Sequence, residues 1–233
     1  MFNSKYSKTL TVILILVIIT IVGLLIFFGI DVYRRYYIEQ TSGEVVNEFR
    51  NQFNEITTTN EVEDNTIVND VTPNVDLNTI YENTVDEPSG DENGVTIPGT
   101  NYNVIGVIEI PAIDIEYPIV PDYQGSINSL NVAIVMLYPS NMSLNEVGNA
   151  VLAGHNYRNG TFFSNNKRLE EGDKIYITDA SGERVEYEVV RKYETSTSDS
   201  SYMKRDTNGK RGISLTTCTD DTRRRLIIWA DEV

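Results

Sequence analysis

Between Leu10 and Ile30 the chain runs for 21 residues without a charge or a proline. At a helical rise of about 1.5 Å per residue this run matches a hydrocarbon core of about 30 Å. It is too long for the apolar region of a signal peptide, and no small-residue cleavage site follows it. Globular cores seldom contain an uncharged stretch of that length. The expectation is a transmembrane helix over 10–30. Lys5 and Lys8 flank one side and Arg34 and Arg35 the other, so positive charge does not orient it. The short leader and the large polar remainder do: residues 1–9 form a cytoplasmic tail, and everything beyond Ile30 lies outside the cell.

Residues 31–100 read as an acidic extracellular spacer. Fourteen acids and a single base, Arg50, fall between positions 39 and 95. That stretch carries most of the formal charge of −15. It is rich in Asn and Thr and poor in aromatic residues, a composition that buries too little apolar surface to order itself. One portion, near 43–56, is expected to be helical, because Val45, Val46, Phe49, Phe53 and Ile56 share a helical face.

Residues 101–233 hold nineteen acids and fourteen bases, an ordinary balance for a domain large enough to build a core. No basic aromatic face points to nucleic acid. The pattern is mainly β. Val104–Ile110 ends at Pro111, and Ile113–Ile119 alternates apolar with polar residues around Pro118. Segments 131–137, 149–154, 174–178, 184–191, 212–217 and 226–230 follow, with a hairpin turn at Asp179-Ala180-Ser181-Gly182. Eight short strands with short connections imply a closed or nearly closed barrel. Helix is confined to a turn near 125–130 and another near 162–169. The serine-rich segment 194–211 lacks apolar periodicity and is expected to act as a lid or substrate wall.

One cysteine, Cys218, and one histidine, His155, each fall where a strand ends. A lone cysteine forms no internal disulfide and no cysteine zinc site, and no cofactor or metal is expected. A thiol nucleophile needs a proton acceptor and a donor for developing negative charge. His155 is the only imidazole available for proton transfer. Asp220 and Asp221 favour the neutral thiol, whereas Arg223, Arg224 and Arg225 favour the thiolate. Along a strand Arg223 and Arg225 share a face that Arg224 opposes. Read as residues alone, the set is compatible with a cysteine peptidase, or with a non-catalytic surface module that binds peptide or wall polymer.

The motifs Leu215-Thr216-Thr217-Cys218 and Ala153-Gly154-His155-Asn156, with an arginine before an apolar terminal strand, together resemble those of the sortases. Their order and spacing behind an amino-terminal anchor match over 103–233, with Ser214 where the family usually has Thr. The resemblance implies an eight-stranded sortase-type β-barrel with Cys218 as nucleophile and His155 as general acid/base. It implies Arg225 as the substrate or oxyanion ligand, with Arg223 in reserve. Ala153 and Thr217 would line the groove for the sorting signal, and segment 194–211 would be the substrate-recognition loop. The implied reaction is cysteine transpeptidation. A Leu-Pro-x-Thr-Gly-like signal is cleaved through a thioester, and the protein is passed to an amine of a cell-wall precursor or pilin. Implied partners are surface proteins bearing a carboxyl-terminal sorting signal. The short path from His155 to Lys174 resembles class A or D more than class B. The lack of a carboxyl-terminal membrane segment or an amino-terminal lid points to anchoring rather than pilus polymerisation.

Overall fold

The computed structural model describes residues 4–60, 94–122 and 128–233. It begins with one unbroken helix, α1 (Ser4–Asn60), followed by eight strands. These are β1 (Gly106–Ile110), β2 (Ile115–Pro121), β3 (Ile134–Tyr138), β4 (Gly148–Ala153), β5 (Lys174–Asp179), β6 (Arg184–Ser196), β7 (Arg211–Cys218) and β8 (Arg224–Glu232). They close into a barrel in the order β1-β2-β3-β4-β7-β8-β6-β5. The expected strand count, barrel closure and β5–β6 hairpin are all present. Short 3-10 turns occur at Pro111–Ile113, Ser129–Asn131, Asn166–Arg168 and Ser201–Lys204.

Alternation explains the strands with one covered face. In β5, Ile175 and Ile177 point into the core while Lys174 and Tyr176 stay partly exposed. The inner cluster joins Ile108, Ile110, Ile119, Ile134, Leu152, Ile177, Leu215 and Ile228. β4 carries the apolar run 150–153 because both of its faces are covered, whereas β7 is buried from Gly212 to Thr217 but interleaves Ser214, Thr216 and Thr217 with Ile213 and Leu215. Tyr202 packs against Val151 and Ile227 outside the barrel, and Asn149 Nδ2 donates to the carbonyl oxygens of Tyr202 and Met203. Arg205 pairs with Asp231 and donates to the Ala230 carbonyl at 3.3 Å. Segment 194–211, expected to act as a lid or substrate wall, thus packs through Tyr202 and Arg205 over β4, β7 and β8. Its first residues, through Ser196, belong to β6.

The spacer reading requires revision. α1 does not stop at Ile30, nor is helix confined to 43–56: it continues through Asn60. Val45, Val46 and Phe49 are buried against Val107, Val120, Val135, Val95, Ile97 and Val104. Tertiary contact supplies what the acidic composition hides. The acids occupy the other faces of the helix, while Arg35 pairs with Glu39 within it and Arg50 pairs with Glu116 on β2. Residues 94–100 also join the fold, since Val104 donates to the Val95 carbonyl and Ile97 to that of Tyr102. The rest of the proposed spacer, 61–93, and much of the 125–130 turn lie outside the described residues. Among the described residues, one helix is long and apolar enough to cross a membrane. The side chains of its apolar run, Leu10 to Ile30, are exposed.

Candidate active site

β4 and β7 are parallel neighbours, paired from Gly148–Arg211 to Ala153–Thr216. His155 and Cys218 each lie two residues past that last rung. The ladder is prolonged by Gly154 N–H donating to the Thr216 carbonyl at 3.2 Å. The Thr217 hydroxyl also donates to the Gly154 carbonyl at 2.7 Å. Parallel pairing thus brings two residues 63 positions apart in sequence to the same end of the barrel. Gly154 is needed in this place: a Cβ there would lie 2.7 Å from the Phe163 ring and from Ile134. Phe163 in turn donates its N–H to the His155 carbonyl.

β8 brings the third residue. Its antiparallel register with β7 sets Arg225 directly across from Cys218, and Arg225 Nη1 donates to the sulfur at 3.3 Å. Of the neighbouring arginines, Arg224 donates its guanidinium to the Glu194 carbonyl at 2.9 Å, and Arg223 precedes β8, its backbone N–H bonding to Asp221 Oδ1. The alternation of side chains along a strand separates Arg225 from Arg224.

Two carboxylates near the thiol in sequence are held by other partners. Asp220 accepts from Lys167 Nζ at 2.6 Å and from Asn156 Nδ2 at 3.0 Å, and these contacts hold its pKa below the ordinary value, Lys167 first. Asp221 accepts from the Thr219 hydroxyl, which is the main cause of its own lowered pKa. Asn156 is the residue that sequence reasoning missed. Its Nδ2 also donates to the Cys218 carbonyl at 2.9 Å, and its Oδ1 accepts from the Arg158 N–H. It therefore ties the histidine loop to the cysteine loop. The only signal in the sequence was its place beside His155 in a turn-forming run.

His155 is half-buried, its ring 4.7 Å from that of Tyr157. The Tyr157 hydroxyl donates to Asn131 Oδ1 at 2.8 Å, and the Arg34 guanidinium of α1 lies 5.5 Å from the Tyr157 ring centroid. Burial pushes the imidazole pKa down, and the charge on Arg34 pushes it further. α1 thus reaches this end of the barrel as a buttress beside the histidine.

A cavity of about 540 Å³ opens beside Cys218, with Phe163, Lys167, Tyr193, Glu194, Asp220 and Leu226 among its walls. Ala153 and Thr217 are both buried and, like His155 and Arg225, are not among the residues lining it; the Thr217 hydroxyl is taken up by the Gly154 carbonyl. Among the described residues, no group of three or more His, Cys, Asp or Glu is arranged to hold a metal.

A family model for the sortase domain matches residues 108–233, more than half of the chain. Sortase A of Bacillus anthracis is 35% identical over 133 residues, covering 56% of this chain and 60% of that protein. The structure is similar to that of sortase A from Corynebacterium diphtheriae, with a TM-score of 0.50 at 31% identity over 58% of this chain and 63% of that one. It shares its fold with a Clostridium perfringens sortase D5 transpeptidase, with a TM-score of 0.55 at 21% identity, covering 83% of this chain and 99% of that one. The chain thus spans less than two thirds of the length of the first two relatives. With the closed barrel, the paired ends of β4 and β7 and the matching domain, the chain belongs to the sortase family.

Proposed function

We propose that the protein is a cysteine transpeptidase that acts on surface proteins bearing a Leu-Pro-x-Thr-Gly-like signal, with Cys218, His155 and Arg225 as its catalytic residues. The observation that carries this reading is the Arg225 contact to the Cys218 sulfur at 3.3 Å, at the barrel end that also holds His155. Cys218 attacks the carbonyl carbon of the Thr–Gly bond, and its thiol proton passes to His155. The guanidinium donors of Arg225 hold the oxyanion or the adjacent carbonyl. As the C–N bond breaks, His155 protonates the leaving amine and the thioester remains on Cys218. An acceptor amine then attacks the thioester, loses its proton to His155 and releases the sulfur. Ala153 and Thr217 line the groove for the signal, and Arg223 is the reserve for Arg225.

The acceptor is an amine of a cell-wall precursor or a pilin. The class A or D resemblance favours anchoring. The apolar helix supports a single-pass anchor over 10–30, with residues 101–233 as an extracellular catalytic domain.

Mass spectrometry of a signal peptide incubated with and without an added amine tests the reading. A ligated product is expected with the amine, and none with Cys218→Ala. Hydrolysis alone in the presence of the amine would point to a peptidase, and an unaltered peptide with no thiol trapping would refute the enzymatic reading.

A further inference from the structure

α1 fixes which end of the barrel faces its apolar run. Near the start of the docked part, Arg34 lies over Tyr157 and Arg35 reaches Gly160, both in the loop that follows β4 at the Cys218 end. Nineteen residues later, Phe53 packs against Gly182, in the β5–β6 turn at the opposite end. At a rise of 1.5 Å per residue these two contacts are about 28 Å apart along the helix. α1 therefore crosses the barrel from the active-site end to the far end, and its apolar portion departs from the active-site end. Only four positions separate Ile30 from Arg34, about 6 Å of helix. Helix continuity across this junction leaves no linker about which the barrel could turn over.

We infer that the barrel end carrying His155 and Cys218 rests against the phospholipid headgroups of the bilayer that α1 spans, while the β5–β6 turn faces away. The occupant of this face is the headgroup layer, since its polar, charged surface of Arg34, Arg35 and Arg158 suits the interface and not the hydrocarbon. The cavity beside Cys218 then lies at the barrel end nearer the bilayer. The inference rests on the anchor reading of Leu10–Ile30 and is independent of the reaction catalysed.

The test uses the full chain with Cys218→Ser, which removes its only thiol. Fluorophores are placed singly through Arg158→Cys, Ala180→Cys or Leu25→Cys. Each variant is reconstituted in phosphatidylcholine–phosphatidylglycerol vesicles carrying lipid spin labels at the headgroup or along the acyl chain. Headgroup label should quench position 158 several-fold more than position 180, and acyl-chain label should quench position 25. Equal or inverted quenching at 158 and 180, with position 25 still quenched, overturns the orientation alone. Loss of quenching at position 25 overturns the anchor reading and the orientation with it. Neither result bears on transpeptidation, which the peptide assay reads separately.

Discussion

Arg225 stands directly across the β7–β8 ladder from Cys218, and its Nη1 lies 3.3 Å from the sulfur. Neither residue is held by long-range electrostatics alone. Backbone hydrogen bonding between two core strands sets their separation, so the guanidinium is in place before any substrate arrives.

Arg225→Ala should lower kcat by about 10² to 10³-fold, the usual cost of removing a preorganised oxyanion donor. Arg225→Lys should recover only part of this, because an ammonium cannot present two parallel donors. Arg224→Ala, which loses a contact to Glu194, should leave kcat within a few-fold. Steady-state kinetics on one peptide substrate separates the three variants, and equal losses at 224 and 225 would refute the register argument.

Asn156 joins the two catalytic loops, so Asn156→Ala should reduce kcat by about ten- to a hundredfold, as expected when reacting groups are misplaced by a fraction of an ångström. The rate of Cys218 alkylation at fixed pH should change as well. An unchanged alkylation rate with only a lower melting temperature would assign Asn156 a purely structural role.

His155 should titrate below the usual 6.5, first because of its burial and then because of Arg34. The folded chain then binds this proton less tightly than the unfolded chain does. Stability from this group is therefore complete above pH 6.5 and declines as pH falls through the depressed pKa. NMR titration of the imidazole in Cys218→Ala reads the value directly. Arg34→Gln should move it upward, and an unmoved titration would disprove the link between anchor helix and histidine.

Phe49 is 2% exposed between α1 and the barrel. Phe49→Ala should cost about 3 kcal/mol or more, in the range for deleting a buried aromatic ring. Chemical denaturation in detergent micelles measures this loss. A cost near zero would mean that α1 contributes no packing to the folded barrel.

The strands were legible because their apolar spacing reports which faces are covered. The β5 alternation and the continuous apolar run of β4 each left a distinct pattern. The docked part of α1 was only half legible. Val45, Val46 and Phe49 disclosed the helical face, but the acids around them suggested solvation, and only a partner surface made of Val107, Val120 and Val135 reveals that the face is buried. The packing of segment 194–211 was hidden for a related reason: its two anchors, Tyr202 and Arg205, are isolated in sequence and produce no period.

The sequence by itself determined the apolar run, the eight-strand pattern, and the scarcity that made Cys218 and His155 the only thiol and imidazole available. Those properties are local, carried by composition, spacing and side-chain chemistry. The tertiary structure decided that β4 and β7 are parallel neighbours, that Arg225 and neither of its neighbours faces the sulfur, and that Asn156 bridges the two loops. It also decided that the apolar part of α1 leaves from the barrel end that carries His155 and Cys218. These are matters of strand order, register and helix direction, which hydrogen bonding between distant segments sets and which no single stretch of chain encodes.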